Sequence, residues 1–172
     1  PSIEHTGDLV NSLGLRPGEV VADIGTGVGY LLPYLVARVG PQGAIIAEDI
    51  YPDFVAKTRE RIKAAGWRNV RAVLGTEHDP KLAPARLDVA ILLDTYHHLN
   101  YPEETLRNVQ RSLKPQGRLI VIDFYRSRKH PGTTDEDFAR TSGLTATNLF
   151  QRWRLRDSTL PGGSIICRTY ML

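Results

Sequence analysis

Apolar residues come in two rhythms along this chain. Short, nearly unbroken runs, which suit strands buried on both faces of a parallel sheet, alternate with stretches whose apolar positions recur at helical spacing. Leu9, Val10 and Leu13 mark a short helix over 8–15, and Gly14 and Arg16-Pro17-Gly18 turn the chain into a strand over 19–24. Leu31, Tyr34, Leu35 and Val39 form the next helical stripe. Pro33 sits harmlessly in its first turn if the helix starts near Tyr30, and kinks it if it starts at Val28. Gly40-Pro41-Gln42-Gly43 ends it, and a second strand runs over 44–48, closing on Asp49. A helix from Pro52 shows Phe54, Thr58, Ile62 and Ala65 on one face and stops at Gly66, followed by a third strand over 70–74.

After a loop over 75–80 comes the apolar run 87–93, which reads as a central strand. Asn100 with Glu103 three residues on fits a capping box for a helix with Leu106, Val109 and Leu113 on its apolar side. Lys114-Pro115-Gln116-Gly117 leads into a fifth strand over 118–124. Beyond it, 126–137 reads as loop and 135–141 as a short helix. Trp153 and Leu155 alternate with Arg152, Arg154 and Arg156 in a half-buried strand over 148–156. Pro161-Gly162-Gly163 then returns the chain into 164–171, and two strands joined by so short a turn run antiparallel. Strand and helix in alternation predict one α/β domain over 1–172, with helices on both faces of the sheet.

Composition changes this picture little. At 172 residues the chain can bury a real core, and 41% hydrophobic with 24% charged residues is ordinary for a soluble globular protein. No apolar run is long enough to span a membrane, and nothing at the start reads as a signal peptide. With Cys167 the single cysteine, no internal disulfide can form. A cytoplasmic protein is the expectation. The chain begins at Pro1 without a methionine, which leaves room for an upstream piece. The net charge of +3 is unevenly spread: residues 1–125 carry 14 basic and 15 acidic side chains, residues 126–172 carry 8 and 4. The basic end reads as a solvated face. No lysine run, zinc-finger spacing or aromatic–basic interleaving points to nucleic acid.

The chemistry concentrates where the first strand ends. Asp23 precedes Gly25-Thr26-Gly27-Val28-Gly29, and a helical pattern follows. Glycines admit positive φ and let a ligand approach the backbone, and a helix beginning there offers free N–H groups. The spacing is G-x-G-x-G. The dinucleotide fingerprint would need a glycine where Tyr30 stands. A carboxylate at Asp23 repels a pyrophosphate and attracts an ammonium group, which suits S-adenosylmethionine better than NAD.

This stretch resembles the first motif of class I S-adenosylmethionine-dependent methyltransferases, and further motifs over roughly 8–125 extend the likeness. The resemblance implies a doubly wound, three-layer Rossmann-like sandwich with a seven-stranded, mostly parallel sheet of order 3-2-1-4-5-7-6 and an antiparallel strand seven. It implies that Asp23, Gly25, Thr26, Gly27 and Gly29 hold the amino-acid end of the donor. It also implies that Asp49, 26 residues beyond Asp23 and followed by Ile50, takes the ribose hydroxyls. Glu48 is adjacent and is expected to point to the opposite face. In the family, residues just past strand three cradle adenine. Here Thr76 replaces the usual aspartate, leaving Thr76, Glu77, Asp79 or backbone N–H groups for the task. Asp94 and Thr95 fall beside the methionine part of the donor, near the point where strand order reverses. Leu113 to Phe124 resembles the family's leucine-lysine-proline-glycine-glycine turn, with Gln116 for one glycine.

The implied function is direct methyl transfer from S-adenosylmethionine to a small-molecule acceptor, leaving S-adenosylhomocysteine. The acceptor is expected above strands four and five, near Tyr96, His97, Asp123 and Arg126, with His97 and Tyr96 the catalytic candidates. Adjacent histidines 97 and 98 diverge and lack an evident third ligand, so no metal is expected. A single cysteine disfavours arsenite as acceptor. Asp94-Thr95-Tyr96-His97 departs from the Asn/Asp-Pro-Pro-Tyr motif of base methylases. Two rivals remain at this point: a donor-binding module without a working acceptor site, and an NAD-dependent oxidoreductase.

Overall fold

The computed structural model describes residues 3–123 and 164–167, with side chains described over 6–123. In chain order the elements are α1 (Ile3–Ser12), β1 (Val20–Ile24), α2 (Leu32–Val39), β2 (Ala44–Asp49), α3 (Pro52–Ala65), β3 (Val70–Leu74), β4 (Leu87–Leu93), a 3₁₀ turn (Tyr96–His98), α4 (Pro102–Ser112), β5 (Leu113–Ile122) and β6 (Ser164–Cys167). The sheet order is β3-β2-β1-β4-β5-β6.

Alternation along the strands builds the layers. Val21, Ile45, Ala47, Val89, Ile91, Ile120 and Ile122 face one way and pack with Val10 of α1, Leu13 just after it, and Leu32, Leu35 and Val39 of α2. Their neighbours Ala22, Ile24, Ile46, Ala90, Leu92, Leu119 and Val121 face the other way, onto Leu106 and Val109 of α4 and Leu82. Both faces are dry, so the central strands carry no polar alternation. Each fully buried leucine or isoleucine contributes about 1.5–3 kcal/mol relative to exposure.

The helix ends follow their chemistry. Leu31 is the N-cap of α2, so Pro33 lies in the first turn and causes no kink. Gly66 closes α3 with φ 67° and ψ 22°, the left-handed geometry glycine adopts without strain. Two helix expectations are corrected. The buried side of α3 is Val55 and Thr58, with Ile62 packed against the core, while Phe54 is exposed. Phe54 instead meets Tyr51 edge-on, with ring centroids 5.7 Å apart. For α4 the N-cap is Tyr101 and no side chain caps it. Asn100 donates its amide to Glu77 Oε1 instead, at 3.2 Å.

Polar anchors tie down the amino ends of the strands. Arg118 reaches Glu19 at 3.1 Å and donates to the Gly14 carbonyl at 2.8 Å. Asp88 accepts from Lys114 and from the Val20 N–H, each at 2.8 Å. Burial opposes ionisation of Asp88, but Lys114 and that N–H hold its carboxyl below the usual range. The carboxyl ends of the strands are left to form the site.

Every strand pairing among the described residues is parallel, including β5 with β6. The antiparallel run expected for 164–171 is therefore not found over Ser164–Cys167, which pairs in parallel from Arg118↔Ser164 to Val121↔Cys167. The hairpin expectation rested on a partner strand over 148–156. The chain between β5 and β6 is long enough for the crossover that a parallel pair requires. The expected helix over 135–141, the strand over 148–156 and Arg126 lie outside the described residues.

Candidate functional site

Register brings the carboxylates into one row. Ile24 lies opposite Glu48 on one side and Leu92 on the other, Asp49 opposite Leu74, and Leu93 opposite Ile122. The strand-end acids Asp23, Glu48, Asp49, Asp94 and Asp123 consequently lie along the carboxyl edge of the sheet, whose order reverses between β1 and β4. A cavity of about 480 Å³ opens there.

Of the residues expected to bind the donor, Gly25, Gly27, Asp49, Ile50, Thr76, Glu77, Asp94 and Thr95 line this cavity. Gly25 (φ 71°) packs so closely on Thr95 that a Cβ would collide with that side chain. Gly27 (φ 58°) has nothing within 4 Å of where a Cβ would stand, so its missing side chain leaves space beside the cavity. Asp49 is 5% exposed and accepts twice: Oδ2 from the Gly27 N–H and Oδ1 from the Tyr51 N–H, both at 2.9 Å.

Asp23, Thr26 and Gly29 do not line the cavity. Asp23 is buried beneath the turn, where its Oδ2 accepts the Thr26 hydroxyl at 2.6 Å. Burial pushes its carboxyl up to about 6; the Thr26 hydrogen bond opposes the rise and Asp49 adds to it. The Thr26 N–H donates to the Glu48 carbonyl at 2.9 Å, and Thr58 of α3 donates to the Gly27 carbonyl at 2.9 Å. Gly29 (φ 77°) leaves room for Leu32, whose Cδ1 would lie 2.7 Å from a Cβ there. These three residues shape the turn from behind.

Glu48 points to the opposite face from Asp49, toward α4, yet it too lines the cavity. Gly75 makes way for it: a Cβ at Gly75 would overlap Glu48 Oε1. Glu48 is 2% exposed. The Gly25 N–H bonds its carboxyl, while Oε1 has no hydrogen-bond partner among the described residues. Burial, then Asp49, push this carboxyl up to about 8 against the Gly25 hydrogen bond, with Asp23 and Asp79 adding to the rise. Sequence reasoning passed over Glu48 because no pattern distinguishes a buried acid from a solvated one at a strand end. Tyr51, Phe54, Pro80, His98, Leu99, Asn100 and Thr105 also line the cavity without having been expected there.

At the β4–β5 side, Asp94 takes φ 51°, a conformation aspartate tolerates. Its N–H donates to the Ile122 carbonyl at 2.8 Å. His97 Nδ1 lies 2.7 Å from Asp123 Oδ1, and the His97 backbone N–H donates to Asp123 Oδ2 at 3.0 Å. Asp94 Oδ1 is 3.8 Å from the same ring nitrogen. Asp94, His97 and Asp123 thus bring ligand atoms within 4.8 Å of one another. The catalytic candidates His97 and Tyr96 both stand outside the cavity lining; Tyr96 packs its ring on the core beside α4.

A family model described as a methyltransferase domain matches residues 22–119, more than half of the chain. The chain is 32% identical over 112 residues to the ubiquinone/menaquinone biosynthesis C-methyltransferase UbiE of Ectopseudomonas mendocina, covering 64% of this chain and 44% of that protein. It is 26% identical over 132 residues to the arsenite methyltransferase of Halobacterium salinarum, covering 77% and 34%. Less than half the length of these relatives is spanned. The crystal structure of a SAM dependent methyltransferase from Aquifex aeolicus aligns with a TM-score of 0.69 at 30% identity, over 77% of this chain and 70% of that one. With a parallel sheet of order 3-2-1-4-5 and a glycine-lined cavity at its reversal point, the chain belongs to the class I S-adenosylmethionine-dependent methyltransferases, and S-adenosylmethionine is its cofactor.

Proposed function

We propose that this chain forms one methyltransferase domain that passes a methyl group to a small-molecule acceptor. The observation that carries this reading is the cavity at the carboxyl ends of β1, β2 and β4, lined by Gly25, Gly27 and Asp49 and walled by Ile50, Phe54 and Leu99. The residues fit the donor. Gly27 leaves open space beside its backbone at the cavity, and Asp49 presents a carboxylate to a ribose diol. Asp23 supports the turn through Thr26 and adds negative potential beneath the donor's ammonium. No described helix is long and apolar enough to cross a membrane. The single cysteine speaks against the acceptor named for the arsenite relative.

Bound S-adenosylmethionine supplies an electrophilic methyl group whose bond to sulfur breaks as the acceptor attacks. The protein's share is alignment and proton removal. With Nδ1–H donated to Asp123, His97 keeps the lone pair on Nε2, the right tautomer for a base. An acceptor carrying O–H or N–H at the β4–β5 edge gives its proton to that nitrogen. Tyr96 contributes by holding the 3₁₀ turn on the core.

Two measurements test this. Calorimetric titration with S-adenosylhomocysteine and with NADH is expected to show binding of the first alone; tight NADH binding without the homocysteine ligand contradicts the reading. A screen of a metabolite extract with labelled donor is expected to give a methylated small molecule. Donor binding without any transfer favours a binding module instead.

A further inference from the structure

A second groove lies at the edge of the sheet and shares no lining residue with the donor cavity. β3 is the end strand: among the described residues it pairs with β2 alone. The Asn69 carbonyl accepts the Ile45 N–H, and the Gly75 N–H donates to the Asp49 carbonyl. By alternation, the backbone groups of Val70, Ala72 and Leu74 between them point outward, away from β2. The groove beside this edge, about 410 Å³, sets Arg59, Lys63, Arg68 and Arg71 around the half-buried Ile62 and Trp67, and no acid lines it. All four cations are exposed. None makes a side-chain hydrogen bond or ion pair among the described residues, although Glu60 shares α3 with two of them. The turn that shapes the groove is held firmly. Gly66 takes φ 67°, Trp67 packs against the core, and Asn69 donates to the Gly40 and Gly43 carbonyls, both at 3.0 Å.

We propose that this edge docks an acidic, extended segment of a partner protein, which adds a strand beside β3 and sets its carboxylates among Arg59, Lys63, Arg68 and Arg71. Two separate features ask for that occupant. The outward N–H and C=O groups of β3 match the backbone of an added strand. The cations flank both faces of the same edge. Arg59 and Lys63, one helical turn apart on α3, stand on the face where Val70 packs into the core. Arg71, the next residue along the strand, belongs to the other face. Alternate acidic side chains of an added strand therefore meet positive charge whichever way they point. The same charges repel a second copy of this edge, so the partner is a different chain. A nucleic acid would satisfy the cations and leave the backbone groups of β3 unmet. Because the turn before β3 is already fixed, little ordering is needed on this side when the segment docks.

Fluorescence anisotropy on the full chain, with labelled peptides as probes, tests this. The first peptide alternates Glu with Val. A second has the same charge with a central proline, which removes a ladder donor. A third carries Lys for Glu, and a uridine oligonucleotide is the nucleic-acid arm. The acidic peptide is expected to bind saturably, the proline peptide about tenfold more weakly, and the basic peptide not at all. The double variant Arg59→Glu, Lys63→Glu is expected to weaken the acidic peptide about tenfold or more. Both positions are exposed, and thermal unfolding establishes that the variant is folded; if it is not, Arg71→Glu reads the same loss. Amide hydrogen exchange at Ala72 and Leu74 is expected to slow when the acidic peptide is bound. No binding of the acidic peptide would leave the cations as guards of the edge and overturn the proposal. So would a proline peptide that binds equally well, unchanged exchange at Ala72 and Leu74, or a preference for the oligonucleotide.

Discussion

His97 and Asp123 meet across the ends of two strands: imidazole Nδ1 to carboxylate Oδ1 at 2.7 Å, with the His97 backbone N–H on the other oxygen at 3.0 Å. The pair joins the 3₁₀ turn after β4 to the end of β5, and Asp123 is much the less exposed of the two side chains. A carboxylate that grips ring and backbone fixes both the tautomer and the ring plane.

If His97 removes the acceptor's proton, His97→Ala lowers kcat by about 10²–10⁴-fold, the usual worth of a general base. Asp123→Asn lowers it less and alters the pH–rate profile, because the ring loses its orienting charge. S-adenosylhomocysteine affinity stays unchanged in both. Steady-state kinetics with an identified acceptor checks this; unaltered kcat in His97→Ala would leave the pair a structural tie.

The glycines of the turn separate by role. Gly27→Ala puts a methyl group beside the donor and costs about 1–2 kcal/mol for a left-handed alanine. Weaker S-adenosylhomocysteine binding with modest loss of stability is expected. Gly29→Ala adds a clash with Leu32 to the same strain, so its larger effect falls on the urea midpoint. Calorimetry and urea unfolding on both variants check the contrast.

Buried acids make the stability of the ligand-free protein pH-dependent. The Asp23 and Glu48 carboxyls are raised from 3.8 to about 6 and from 4.5 to about 8. Between each pair of values the folded state holds a proton that the unfolded chain releases. Their contribution is therefore complete below about pH 4 and falls as pH rises, through about pH 6 for Asp23 and pH 8 for Glu48. From pH 6 to 8 the loss comes chiefly from Glu48, at up to about 1.4 kcal/mol per pH unit. Urea unfolding at pH 6 and pH 8 should show wild type weakening more than Glu48→Gln; equal slopes would contradict it.

Most of the sheet could be read in advance because burial on both faces demands apolar runs, and 20–22, 44–47 and 89–93 supply them, while the edge strand 70–74 was marked by its β-branched residues and the glycine turn before it. Asp49 and the glycine turn were legible because spacing alone marks a strand end and a ligand-facing bend. What escaped depended on competition among neighbours. Asn100 is a good capping residue, but Glu77 across the cavity takes its amide. Phe54 satisfies helical periodicity, yet Tyr51 and the cavity mouth draw it outward while Val55 fills the core. Glu48 pairs with a space that only Gly75, on a different strand's end, makes available. The parallel pairing of β6 with β5 has no marker in the residues of Ser164–Cys167 themselves.

The central claim is that S-adenosylmethionine occupies the cavity with Asp49 as its principal anchor. Calorimetric titration of S-adenosylhomocysteine into wild type and Asp49→Ala tests it most directly. The account predicts one-to-one binding by wild type and a loss of about 1.5–3 kcal/mol in the variant, as for a hydrogen bond to a charged group. Equal affinity for the two proteins, both folded, would contradict it.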